Sequence, residues 1–179
     1  MGRGTWPAWA TGPVVIAAAD PAWSERGRAA CDLLGDVLRP WLTAEGVQHV
    51  GSTAVPGLAA KPILDLMAGV GTFDHAAAVA AALAPRGWHL VPPDLDARPW
   101  RRLLVEVRDG RRAAHLHLLQ PDDHRWSEQL RFRDLLRADP ALADRYATLK
   151  QRAAAAHPHD REAYTAAKTT FVRDTLARS

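Results

Sequence analysis

The run RRLLVEVRDGRRAAHLHLL, residues 101–119, constrains the fold most, because it carries its own pairing instruction. Asp109-Gly110 is a two-residue hairpin signal, since both central residues of such a turn need positive φ. The flanking runs 101–107 and 113–119 read as strands. With a tight turn, Arg108 faces Arg111, Glu106 faces Ala113, Leu104 faces His115 and Arg102 faces His117. Arg102, Glu106, His115 and His117 then share one face. Leu103, Val105, Val107, Ala114, Leu116 and Leu118 form a continuous apolar surface on the other. A one-residue slip or a bulge would undo this pairing.

Further elements surround the hairpin. Asp20-Pro21 opens a helix, with Cys31, Leu34, Val37, Leu38 and Trp41 at helical spacing and Gly46 beyond its end. Residues 14–18, 47–50, 63–70 and 88–91 read as strands. An alanine-rich helix covers 74–84, closed by Pro85 and Gly87, and Pro92-Pro93 opens a loop reaching to Pro99. From Asp123 onward everything is helical. One helix covers 126–137, a second starts at Asp139-Pro140 and breaks at His157-Pro158, and a third is capped by Asp160. Strands first and helices last predict one α+β domain: a small mixed β-sheet flanked by helices, with a C-terminal helical part.

Bulk properties exclude several classes. The chain has 179 residues, 47% apolar, enough for one core. Its net charge is only +3, and acidic residues are interspersed with basic ones. The pI of about 9.5 is therefore weak support for RNA binding, and no specific nucleic-acid partner is expected. No apolar run approaches a membrane span. Ala17 and Ala19 have signal-peptidase spacing, but Pro7, Gly12, Pro13, Trp6 and Trp9 spoil the preceding segment as a leader. Cys31 is the only cysteine, so no internal disulfide forms, and a cytoplasmic location is expected.

Candidate chemistry lies in HVGSTAVPGLAAKPILDLM, residues 49–67. Ile63, Asp65, Met67 and Gly69 share one strand face, opposite an apolar face of Leu64, Leu66, Ala68 and Val70. Asp65 is the only charge in that strand. It either accepts hydrogen bonds from loop amides or pairs with a cation, or it is a functional carboxylate. Gly51, Ser52 and Thr53 precede it, and glycine backbone with hydroxyl donors suits a phosphate. Lys61 is either a cation for an anionic substrate or a surface lysine. His115 and His117, at i and i+2, either ligate a metal or line a half-exposed face. A histidine-triad site lacks its third histidine, because that position is Leu119. Tyr146 with Lys150, and Tyr164 with Lys168, each lie one helical turn apart. Each pair either contacts a base or phosphates, or packs with a snorkelling lysine.

The 49–67 segment resembles the hallmark of the GrpB (UPF0157) family. DPAW, HLHLL, FRDLLR, YATLK and DREAYTAAK follow in the order that family has them, over nearly the whole chain. The resemblance implies a nucleotidyltransferase-like fold. In that superfamily a Gly-Ser pair contacts phosphate, and acids on the next strands hold two metal ions that position a nucleoside triphosphate. Gly51 and Ser52 match the phosphate pair and Asp65 matches the first acid. Met67 occupies the place of the second, and a thioether is a poor ligand for a hard cation.

The resemblance, taken with these residues, implies a metal-assisted nucleotidyltransferase, or a related ATP-using transferase, acting on a small-molecule substrate. Asp65, His115, His117 and Glu106 are the expected catalytic group, with Asp65, His115 and His117 holding Mg²⁺, Mn²⁺ or Zn²⁺. Gly51, Ser52, Thr53, Lys61, Arg133, Lys150, Tyr164 and Lys168 are expected to bind ATP or another nucleoside triphosphate. The alternative is a non-catalytic nucleotide- or metabolite-binding module, which Met67 favours.

Overall fold

A computed structural model describes residues 13–178. The leader-like features at residues 6–12 lie outside that range. In chain order the elements are α1 (Ala22–Leu38), β1 (Leu42–Val50), β2 (Leu64–Val70), α2 (Ala76–Leu83), β3 (Trp88–Leu90), α3 (Pro93–Asp96), β4 (Arg102–Arg108), β5 (Arg111–Leu119), α4 (His124–Ala138), α5 (Pro140–Ala156) and α6 (Arg161–Ala177). The strands form a five-stranded mixed sheet in the order β1-β2-β5-β4-β3. β2 and β5 are parallel, and every other neighbouring pair is antiparallel.

Alternation along β2 sorts the layers. Leu66, Ala68 and Val70 join Leu34 and Leu38 of α1, Val79 and Leu83 of α2, and Leu104, Leu116 and Leu118 in the main core. On the other face Met67 packs with Val50, Leu119 and Trp126 of α4. The last three helices each begin with an aspartate whose carboxylate accepts a backbone N–H: Asp123 from Arg125, Asp139 from Leu142 and Asp160 from Ala163. These caps satisfy donors that a helix start leaves unpaired. Among the described residues no helix is long and apolar enough to cross a membrane.

Three expectations change. Residues 14–18 form no strand; Ala17 makes a single bridge to Ala60. β1 begins at Leu42 rather than residue 47, and its register with β2 shifts between Leu42 and Val47. The 108–111 turn forms, with Asp109 at φ 49° and Gly110 at 67°. The register then slips between Glu106 and Val107, so that Glu106 pairs with Ala114, Val105 with His115 and Leu103 with His117. This bulge turns Glu106 onto the face opposite the histidines.

One close contact anchors the loop that leaves β1. A Cβ at Gly27 of α1 would fall 2.1 Å from His49 Nδ1. The other ring nitrogen of His49 is 3.0 Å from the buried Thr53 hydroxyl, so the imidazole has little room to retreat. In a helix Gly→Ala ordinarily stabilises by about 1 kcal/mol. Here Gly27→Ala is expected to lower stability by about 1–3 kcal/mol, as overpacking does. Urea unfolding measures this, and a variant at least as stable as the parent would show that the ring moves aside.

Candidate functional site

Sheet pairing assembles the site. β1 and β2 are antiparallel with Val50 opposite Asp65, so the chain leaves β1 directly over the carboxylate. Gly51, at φ +69°, makes that approach, and a Cβ there would lie 2.7 Å from Asp65 Oδ2. Positive φ and the close contact both require glycine. Ser52, Thr53 and Ala54 follow as a single 3₁₀ turn. On the other side β2 and β5 run parallel, with Asp65 beside His115 and Met67 beside His117.

The carboxylate and both imidazoles converge. His115 Nδ1 lies 2.9 Å from Asp65 Oδ1, and His117 Nε2 lies 3.8 Å from the same oxygen. Burial pushes the Asp65 pKa up, but the interactions with His115 and His117 prevail and hold it well below the usual carboxylate range. An ionised carboxylate only accepts hydrogen bonds, so His115 Nδ1 carries the proton. Burial outweighs the pull of Asp65 at His115 and lowers its pKa. At His117 burial, helped by Arg101, lowers it to about 4. Both shifts favour the neutral imidazole.

A cleft of about 770 Å³ opens beside Asp65, between the Gly51-Ser52-Thr53 loop and the C-terminal helices. Lys61, Lys150, Tyr164 and Lys168 line it. Lys168 Nζ lies 4.2 Å and Lys61 Nζ 5.1 Å from the centroid of the Tyr164 ring, both within cation–π range. Lys150 is 2% exposed, so it does not snorkel. Its ammonium donates to the Ala59 carbonyl and lies 4.9 Å from the Tyr146 ring centroid. Burial lowers its pKa to about 7, with further repulsion from Lys168 and Lys61. Burial and then Lys61 lower the Lys168 pKa to about 8. Tyr146 packs edge-on to Phe132 and stacks on Phe171. Burial, reinforced by Asp65, raises the Tyr164 phenol to about 12, so it stays neutral.

Two expected site residues lie elsewhere. Glu106, turned away by the bulge, pairs with Arg108 at 2.6 Å and takes no part in the Asp65 cluster. Arg133 does not line the cleft. It donates to the His49 carbonyl at 3.1 Å and pairs with Asp134, while Arg137 donates to the Ala54 carbonyl at 2.9 Å. Both arginines brace the loop from α4. Sequence reasoning missed Arg101, which contacts His117, and Asp96, which pairs with Arg101. The available signal was an acid and an arginine flanking Pro99-Trp100, immediately before the strand that pairs with His115 and His117.

A two-ion arrangement of hard cations does not fit these residues. Asp65 is the single carboxylate of the cluster, and Met67 is 1% exposed beneath Trp126 where a second would stand. Donor atoms of Asp65, His115 and His117 do lie within 4.8 Å of one another, a spacing open to one borderline ion such as Zn²⁺. The contact between Arg101 and His117 opposes that use of the cluster.

The family profile described as GrpB protein matches residues 13–178. The glutamate-rich protein GrpB of Alkalihalophilus pseudofirmus is 31% identical over 132 residues, which cover 73% of this chain and 76% of the relative. The crystal structure of conserved protein GrpB from Enterococcus faecalis is 30% identical, with a TM-score of 0.78 over 92% of this chain and 96% of that one. A cytoplasmic RNA terminal U-transferase shares the architecture alone, with a TM-score of 0.50 at 17% identity over 76% of this chain and 42% of its own. The fold is nucleotidyltransferase-like, and the chain belongs to the GrpB family.

Proposed function

We propose that the cleft binds a nucleoside triphosphate, ATP among them, and transfers a nucleotidyl or phosphoryl group to a small-molecule acceptor. One observation carries this reading: a glycine-serine-threonine loop and three lysines share one cleft with the Asp65 carboxylate. Lysine ammonium groups neutralise phosphate charge, and the loop hydroxyls and amides direct the phosphate oxygens. Asp65 offers one oxygen ligand to a Mg²⁺ or Mn²⁺ arriving with the triphosphate. His115 donates an Nδ1–H hydrogen bond to Asp65 and keeps a lone pair on Nε2, which suits it to take the acceptor proton. Tyr164, held neutral by burial, supports Lys61 and Lys168 rather than acting as an acid.

A second reading has its own support. Met67 is locked in an apolar cluster where the superfamily places an acid, which favours a module that binds a nucleotide without turning it over. Incubation with each nucleoside triphosphate, Mg²⁺ or Mn²⁺ and a metabolite extract separates the two. The transferase reading expects release of pyrophosphate, or of the nucleoside diphosphate, with a mass-shifted product. Tight nucleotide binding without turnover across all metals and acceptors supports the module. Failure of every triphosphate to bind would remove both.

A further inference from the structure

The connection between β3 and β4 reaches back into the site. Asp96, at the end of α3, and Arg101, just before β4, form a bidentate pair. Arg101 Nε donates to Oδ2 at 2.9 Å and Nη2 donates to Oδ1 at 2.6 Å. Asp96 is 5% exposed, so this pair is fixed inside the protein. The remaining arm of the guanidinium meets His117, with Nη1 2.7 Å from Nδ1.

That contact determines a tautomer. An arginine side chain offers donors only and keeps its proton, so His117 Nδ1 must be the acceptor. The single proton of the neutral ring is then on Nε2, the atom that faces Asp65 Oδ1 at 3.8 Å. Rotating the ring by half a turn would set a carbon against Arg101 and lose the hydrogen bond.

We infer that Asp96 and Arg101 are positioning residues that hold His117 as its Nε2–H tautomer, so that Asp65, His115 and His117 form a carboxylate flanked by two N–H groups rather than a three-ligand metal centre. A ligating imidazole needs its lone pair on the nitrogen that faces the metal, and its other nitrogen ordinarily donates to a carboxylate or carbonyl. Arg101 imposes the reverse. A metal on Nε2 would put an N–H on Nδ1 against a guanidinium N–H, two donors at 2.7 Å. His115 likewise directs Nδ1–H at Asp65 Oδ1. Both rings therefore address Oδ1, and the second oxygen, Oδ2, lies beside Gly51. A cation brought by a phosphorylated ligand meets one protein oxygen there. The inference goes beyond the transferase reading and holds for either use of the cleft.

Long-range ¹H–¹⁵N correlation spectra of the labelled full chain report the tautomer directly, with the His117→Gln spectrum assigning the ring. The expected result is a protonated Nε2 and a bare Nδ1 for His117 at pH 7, unchanged by excess Zn²⁺. A protonated Nδ1, or a His117 Nε2 resonance displaced by Zn²⁺, would overturn the inference. Arg101→Met frees Nδ1, and visible absorption of added Co²⁺ is expected to show binding on the order of tenfold tighter than in the parent. Equal Co²⁺ affinity in the folded variant would refute the blocking role of Arg101. Should Arg101→Met not fold, the parent spectrum decides alone.

Discussion

Asp65→Asn is expected to separate binding from turnover. The transfer rate should fall by about 10²–10⁴, the usual loss when a positioned acid–base partner is removed. Nucleoside triphosphate binding without divalent ion should tighten instead. The carboxylate is held ionised and lies in the same cleft as Lys61, Lys150 and Lys168, so it repels the phosphates that those lysines attract. Asparagine keeps an oxygen to accept the His115 Nδ1 proton, so the fold should persist while the charge is lost. Product formation and calorimetric binding, measured on one preparation, test both signs. A variant turning over at the parental rate would remove Asp65 from the chemistry. Unchanged binding would place the phosphates away from it.

The fold was legible wherever one short segment carried the whole instruction. Asp139-Pro140 and Asp160 announce helix starts, because an N-cap acid acts within a few residues of itself. The alternation of Leu64, Leu66, Ala68 and Val70 against Asp65 and Met67 gives the faces of β2 correctly. Registers were less legible. Asp109-Gly110 specifies the turn, but the slip beyond Val107 is decided by what each face must bury. In the slipped register Leu104 and Leu116 meet in the core, and the histidines turn to Asp65. The early start of β1 has the same origin. Leu42 pairs with Val70 across an irregularity that no local pattern marks.

The site was legible as residue types and less so as contacts. Asp65 stands out because a lone charge in an apolar strand needs a reason. Its approach to His115 follows from the parallel pairing of β2 with β5, and a linear sequence does not print which distant strands will pair. Lys150 and Lys168 were visible as helix-face partners of tyrosines, yet the depth of Lys150 depends on the separate loop that carries Ala59. Arg133 shows the opposite case. Its helix faces the site, but its guanidinium is spent on the His49 carbonyl and Asp134, and it braces the start of the Gly51-Ser52-Thr53 loop from behind.

The buried lysines give the second large effect, a stability that rises with pH. Lys150 titrates near pH 7 and Lys168 near pH 8 in the folded chain, against 10.5 for the free group. Burial is the larger cause in both cases, and repulsion among the lysines adds to it. Between those values and 10.5 the unfolded chain binds more protons than the folded one, so stability increases with pH. The cost of burying the charges is fully present below about pH 7 and is relieved above it, with a slope of at most about 1.4 kcal/mol per pH unit for each proton. Denaturant unfolding from pH 7 to 10 should show the rise, and Lys150→Met should flatten part of it. A bound triphosphate reverses the balance, because its charge raises both lysine pKa values. Nucleotide binding at pH 8 should therefore take up on the order of one proton, seen as a binding enthalpy that depends on the ionisation enthalpy of the buffer. Lys150→Met should reduce that uptake and weaken binding about tenfold or more, as expected for a lost charge-assisted contact. Binding with no buffer dependence, in a protein whose stability does rise with pH, would mean that the phosphates do not reach Lys150 and Lys168.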